Sequence, residues 1–334
     1  MSVEEVEEPR CPPGGAIISV VACAVCPTDI KMARVGQRDL TYPRILGHEV
    51  VGRVEVSGSP DLGVGDTVQI WPGIACGRCP SCLKGQDNMC SSQGIIGFNR
   101  DGGFAEKMAV PPEIIAGRGV NLVPGDLDPV IAALTEPLAC CVHGQSMAAV
   151  TSGDKVVIFG SGPMGLMHTA LASRAGAAVM VIEPDRGRRQ LAEDMGAERA
   201  VDPSEEEAAP AIVDWTGSRG ADVAILATPK VLADDRLLRV MAPRGRVCMF
   251  SGLPRDDPRV SMDLNILHYR ELSLVGAYGC TSTSDRVALH LLATGKVDLR
   301  PLISRRMPLG SIEEAFRSIE KRVALKCVVD DLTR

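Results

Sequence analysis

The sequence predicts a two-domain α/β protein, β-rich at its start and built on a parallel sheet through its middle. Three observations lead there. The chain has 334 residues, more than the roughly 100–200 typical of one domain. Its first third is a series of short β-branched runs punctuated by Gly and Pro. From Asp154 onward, apolar strands alternate with helical segments. With 45% hydrophobic and 23% charged residues, there is enough apolar material for two cores, which excludes a wholly disordered chain.

The runs Ala16–Ala22, Val50–Val56 and Asp66–Ile70 read as strands, with Gly63-Val-Gly-Asp66 as a turn and Pro27 stopping the first run. Residues Ile131–Val150 are apolar with Pro137 as their one internal proline, which suggests a helix leading out of the first domain. Lys155–Phe159 is then a buried strand, followed by glycines and a helix over Gly165–Ala175. Ala178–Ile182 is the next strand and Arg186–Met195 the next helix. Ala221–Ala227, Gly245–Phe250 and Leu272–Gly276 supply further strands. Strands apolar along most of their length imply a parallel sheet covered on both faces. The tail breaks this rhythm, with helices over Asp285–Thr294 and Ile312–Glu320 and a strand over Leu325–Val329. It is expected to fold back on the first domain.

The net charge of −6 argues against a phosphate-backbone partner, which needs a basic surface. Residues Met1 to Arg10 are acidic where a secretion signal is basic and then apolar. The apolar stretch from Ala16 to Cys26 falls short of the ~20 residues of a membrane span. A soluble, cytoplasmic chain with no nucleic-acid or membrane partner is expected.

Four of the twelve cysteines crowd into one segment, Cys76, Cys79, Cys82 and Cys90. Without a secretion signal, such a cluster suggests metal before disulfides. Four thiolates close a tetrahedral zinc site with no open position, which makes it structural. Iron–sulfur ligation is an alternative, but seven residues separate Cys82 from Cys90 and Ser91 follows, unlike the usual ferredoxin run. Ordinary buried cysteines are the other.

The run Gly160-Ser-Gly162-Pro163-Met164-Gly165 follows an apolar strand and opens a helix. There the first glycine permits a tight turn, the second lets backbone approach a pyrophosphate, and the third lets helix and strand pack closely. The helix N-terminus offers N–H groups to phosphate. Glu183 ends the next strand, about twenty residues on, where a carboxylate accepts hydrogen bonds from an adenine-ribose diol. The pattern points to a Rossmann domain that binds NAD in preference to NADP. A glycine turn with no ligand is the plain alternative.

A third constellation is dispersed over Cys26-Pro-Thr28-Asp29, Gly47-His48-Glu49 and Glu136-Pro-Leu138. Each part alone is weak. Together they supply a thiolate, an imidazole and carboxylates, enough for a zinc with an exchangeable position.

In this order, these motifs resemble the zinc-dependent medium-chain dehydrogenase/reductase family, of the alcohol, sorbitol and threonine dehydrogenase kind. The likeness runs from the catalytic cysteine segment to Gly276–Val329 and covers nearly the whole chain. It implies a GroES-like β-barrel catalytic domain from residues 1–135 and 278–334, carrying the zinc lobe at 76–90. A Rossmann domain at 136–277 is inserted. By the same likeness, Cys26, His48 and Glu49 ligate a catalytic zinc, with water in the fourth place. Glu136 lies at that zinc and exchanges with the water. Thr28 takes the substrate's hydroxyl proton; alone, it reads equally as a strand-end turn residue. Arg188 lies near the adenosine, or else on a solvated helix face.

Three departures from the family pattern stand out. Pro27 replaces a glycine, which re-aims Thr28. Lys31 occupies the place of a proton-relaying histidine. The chain opens on the family's second strand, which is expected either to expose a sheet edge or to reflect a true start that lies upstream.

The implied reaction is hydride transfer between a secondary alcohol (polyol, sugar, cyclitol or amino alcohol) and NAD, giving a ketone, in a homodimer or homotetramer. Trp71, Phe98 and Tyr278 are candidate pocket walls. Alternatives are a threonine-type or simple alcohol dehydrogenase, a zinc-free enoyl reductase on the same fold, and a catalytically inactive nucleotide-binding scaffold.

Overall fold

The computed structural model describes residues 2–231, 233–254 and 257–332. The chain divides into two compact units, one of Met1–Cys140 with Cys280–Arg334, the other Cys141–Gly279. The outer limits of the expected first domain, residues 1 and 334, lie outside the described residues.

The first unit is built on a seven-stranded sheet. Its order is Ile303–Pro308, Lys326–Asp331, Ala16–Ala24, Glu49–Ser57, Thr67–Ile70 and Val120–Leu122, and Lys107–Val110 also pairs with Ala16–Ala24. The strand Ala16–Ala24 therefore has partners on both sides, Glu49–Ser57 on one, and Lys107–Val110 and the tail strand on the other. The edge expected there is covered. Its alternating inward residues explain why: Ala16, Ile18 and Val20 join Val50, Val54, Val68, Ile70, Met108 and Phe316 in one apolar core. The tail does return to this unit. Cys23 and Ala24 pair with Val329 and Val328, and the helix Ile312–Glu320 buries Ile312, Ala315 and Phe316.

Two helices depart from the sequence reading. Pro27 stops the strand, but it also opens a helix, Pro27–Val35, so Thr28 is a first-turn residue and not a strand-end turn. Proline suits that position because its missing N–H has no partner to lose there. Cys26 is the N-cap and Asp29 completes a capping box. The single helix expected over Ile131–Val150 is two, Pro129–Ala132 and Thr135–Met147. Pro137 falls in the first turn of the second, where proline is tolerated.

The second unit carries a six-stranded parallel sheet in the order Arg199–Val201, Ala178–Ile182, Lys155–Phe159, Ala221–Leu226, Met241–Met249 and Ser273–Gly276. All neighbours run parallel. Counted along the chain this is the doubly wound order, with its switch point between Lys155–Phe159 and Ala221–Leu226. The three-residue strand Arg199–Val201 is too short to show a pattern in sequence. Val157, Phe159, Met180 and Leu226 pack with Ile212, Leu237, Leu238 and Ile266 in this unit's core. Among the described residues, no helix is long and apolar enough to cross a membrane.

Candidate functional site

Cys26 and Asp29 stand at the start of one helix, and His48 and Glu49 lead into the strand Glu49–Ser57. Ala24 pairs with Glu49 across the sheet, which brings the two segments together. The ligand atoms of Cys26, His48 and Glu49 all lie within 4.8 Å of one another. One sulfur, one ring nitrogen and one carboxylate oxygen converging in this way fit a zinc ion with an open fourth position.

Asp29 organises the set. Its Oδ2 accepts the Cys26 N–H at 3.0 Å, and its Oδ1 accepts from the Gly47 N–H at 3.3 Å and from His48 Nδ1 at 3.0 Å. A carboxylate can only accept here, so Nδ1 carries a proton and Nε2 is the nitrogen that would face a metal, giving up its own proton on binding. Burial works against charging His48, but the Asp29 carboxylate outweighs it and holds the pKa well above the usual value. Phe98 packs edge-on against the ring, with centroids 5.4 Å apart.

Glu49 is fully buried, and both its oxygens lie 2.5 Å from Lys326 Nζ, which also donates to the Val25 carbonyl at 3.2 Å. A carboxylate has about four lone-pair sites, so this pairing leaves room for a metal bond. Glu136 does not join the three ligand atoms. Its carboxylate instead lies within 4.8 Å of the Cys140 and Cys280 sulfurs. Burial, and then the nearby Glu49 charge, push its pKa up against the pull of His48 and Lys326.

The half-buried Thr28 donates its N–H to Cys26 Sγ at 3.5 Å, while Lys31 on the same helix is exposed. Of the expected walls, Trp71 is buried and donates Nε1–H to the Cys280 carbonyl at 3.1 Å. Tyr278 belongs to the second unit and is half exposed.

The sulfurs of Cys76, Cys79, Cys82 and Cys90 also lie within 4.8 Å of one another, with Cys79 and Cys82 at 3.5 Å. Bonds of about 2.3 Å to one zinc place tetrahedral sulfurs about 3.8 Å apart. The crowding therefore fits a single ion better than a multi-iron cluster, which would spread the thiolates. Backbone N–H groups point at the sulfurs, Cys76 to Cys90 and Cys79 to Cys76, each at 3.3 Å. Donors from Cys82 and Ser91 lower the Cys79 pKa to about 6, favouring the thiolate. Asp87, inside the lobe, accepts from the Ser282 N–H and from its hydroxyl at 2.5 Å, anchoring the lobe to the helix Ser282–Ala293. Cys79→Ser is expected to release one zinc and destabilise the protein by about 3 kcal/mol. At this size that is roughly 4 °C in Tm. A scanning-calorimetry curve matching the parent's would remove the structural role.

In the second unit, Gly160 has φ +96° and a side chain at Gly165 would come within 1.8 Å of the Gly160 carbonyl oxygen, so both need glycine. A Cβ on Gly162 would meet nothing within 4 Å. That open space, at the N-cap of the helix Pro163–Arg174 where no side chain caps, fits a pyrophosphate approaching the N–H groups around Met164. The buried Glu183 carboxylate accepts the Ser161 N–H at 2.7 Å and the Asp185 N–H at 3.1 Å. Glycine turn and acidic residue are thus one assembly. Arg188 sits in the first turn of Arg186–Asp194, its N–H donated to Asp185. Arg189 is the more tightly held, on the Glu183 and Pro184 carbonyls and on Asp202.

Residues 12–117 match the family model of the alcohol dehydrogenase GroES-like domain, and residues 163–294 that of the zinc-binding dehydrogenase. The L-threonine 3-dehydrogenase of Pyrococcus abyssi is 35% identical over 322 residues, covering 93% of this chain and 90% of the relative. The chain belongs to the zinc-dependent medium-chain dehydrogenase family. This dehydrogenase is also 31% identical to the L-galactonate-5-dehydrogenase of Escherichia coli, over 94% of its own length and 91% of the relative's. Among solved structures, a zinc-binding dehydrogenase from Sinorhizobium meliloti bound to NADP has a TM-score of 0.90 and 33% identity, covering 98% of this chain and 95% of that one. The dehydrogenase is accordingly an oxidoreductase acting on CH–OH groups, with a GroES-like and a Rossmann fold.

Sequence reasoning included Asp29 in the third constellation without giving it a role, and it missed Lys326. Asp29 was signalled by its spacing three after Cys26, the pattern of a capping box. Lys326 had no local signal, since its partner lies 277 positions away.

Proposed function

We propose that this dehydrogenase oxidises a secondary alcohol of a polyol, sugar, cyclitol or amino alcohol to a ketone with NAD, reversibly. The observation that carries the reading is the convergence of Cys26, His48 and Glu49 on one point under the control of Asp29. These three residues would hold the catalytic zinc, and Cys76, Cys79, Cys82 and Cys90 the structural one. Bound there, the catalytic zinc supplies Lewis-acid polarisation of the alcohol oxygen. Asp29 fixes the orientation of both Cys26 and His48. Lys326 balances the negative charge that Cys26 and Glu49 bring into a buried place. Thr28, in the first turn of the helix beside Cys26, accepts the hydroxyl proton and passes it outward. Glu136, gathered with two cysteines, is proposed as the carboxylate that exchanges with the zinc's water. On this reading catalysis belongs to residues 1–135 with 278–334, joined by Glu136 at the boundary, and nucleotide binding to 136–277 through Gly160, Gly162, Pro163, Met164, Gly165, Glu183 and, at the adenosine, Arg188.

The substrate class follows the relatives' names, among them 2-dehydro-3-deoxy-L-galactonate 5-dehydrogenase of Pseudoalteromonas atlantica and galactitol-1-phosphate dehydrogenase of Escherichia coli. Self-association into a dimer or tetramer is supported by the edge strand Ser273–Gly276, whose Leu274 is exposed and whose open side is a template for pairing. A reducing, cytoplasmic setting suits twelve free cysteines.

The preference for NAD rests on Glu183, which can bond a ribose diol and repels a 2′-phosphate. Arg189 is already committed to carbonyls and Asp202, and one exposed Arg186 gains little in water. A nicotinamide-absorbance assay across secondary alcohols should show turnover with NAD, and Glu183→Ala should raise the KM for NAD and narrow its lead over NADP. Equal efficiency of the parent with both cofactors would refute the reading of Glu183. Silence across the whole alcohol panel in zinc-replete protein would refute the function.

A further inference from the structure

The cluster of Glu136, Cys140 and Cys280 has the geometry of a metal site in its own right. Glu136 and Cys140 are one turn apart on the helix Thr135–Met147, an i, i+4 spacing that puts both on one face. Cys140 Sγ donates to Glu136 Oε1 at 3.4 Å. Bonds of about 2.3 Å to sulfur and 2.0 Å to oxygen give a tetrahedral edge of about 3.5 Å, so the pair already stands at chelating distance. All three donor atoms lie within 4.8 Å of one another. The third donor is held from behind. The Cys280 carbonyl accepts the Trp71 indole N–H, and the next residue, Thr281, caps the helix Ser282–Ala293.

We propose that Glu136, Cys140 and Cys280 form an additional site for a soft divalent cation of the zinc or cadmium class, centred away from the Cys26–His48–Glu49 set but sharing with the catalytic centre the Glu136 carboxylate. Two thiolates and one carboxylate are a donor set that such ions accept, with a fourth position open to water. Binding exchanges the thiol protons for the cation and releases them to solvent. The Cys280 thiol is buried beside Cys140, Glu136 and Asp285. An ion bound here also takes the carboxylate of Glu136, which couples occupancy to any part that residue plays in turnover.

The test is equilibrium dialysis of the full-length, zinc-replete protein against cadmium, with thiolate-to-cadmium absorbance as the second readout and activity not used. The parent should take up one equivalent more than either Cys140→Ser or Cys280→Ser, and Cys26→Ala should retain that extra equivalent. Equal uptake by the parent and both serine variants would overturn the proposal. So would loss of the extra equivalent in Cys26→Ala, or a Cys140–Cys280 disulfide found by non-reducing peptide mapping. None of these outcomes bears on whether the protein oxidises an alcohol.

Discussion

Cys26→Ala is expected to lose one zinc per chain and to lower kcat/KM by on the order of 10³-fold or more, with folding retained. The size follows from losing several kcal/mol of Lewis-acid stabilisation, at about 1.4 kcal/mol per factor of ten. Folding should survive because Cys26 is half-buried at the beginning of a helix, whereas the core strands beside it do not depend on its sulfur. The capping role is modest: Cys26 Sγ accepts the Thr28 N–H at 3.5 Å, and the Asp29 half of the capping box stays in place. Elemental analysis and a melting curve on the same preparation separate the two effects. Unchanged zinc content would show that the ion is held elsewhere.

Lys326→Ala should destabilise the protein by about 3–5 kcal/mol, the usual consequence of removing one partner from a buried ion pair. Lys326 is 1% exposed and Glu49 0%, so no solvent can replace the lost ammonium. Burial works against the charge on Lys326, yet Glu49 outweighs it and holds the lysine pKa above its ordinary value. The lysine therefore carries its charge throughout the neutral range. Converted at this chain length, the loss is roughly 4–7 °C in Tm. Adding Glu49→Gln to Lys326→Met should recover much of that stability, since the buried charge goes with its partner. Urea titrations of the three proteins decide it. A Lys326→Ala midpoint close to the parent's would mean the pair contributes little.

The parts legible in the sequence are those whose physics is local. Gly160, Gly162 and Gly165 could be read because each glycine answers a steric demand within six residues, and the structure shows that demand at Gly160 and Gly165. The four lobe cysteines were legible for the same reason. The helix Pro27–Val35 was missed because Pro27 both ends a strand and begins a helix, and only the strand half was read. The placement of Glu136 beside Cys140 and Cys280 could not be read, since Cys280 arrives from the far side of the inserted unit. The pairing of Lys326 with Glu49 depends on strand register between the two ends of the chain, which no local pattern carries.

That register has a consequence for synthesis. The segment holding Cys26, His48 and Glu49 leaves the ribosome early, but Lys326 lies 277 positions after Glu49. Until the strand Lys326–Asp331 is made, Cys23 and Ala24 lack their partners on that side and the Glu49 carboxylate lacks its counter-charge. The inserted unit, Cys141–Gly279, is complete well before that moment and can fold as translation proceeds. The segment made before the inserted unit is thus completed only after it, and a nascent chain stopped short of Lys326 would hold its nucleotide-binding half without a finished metal centre.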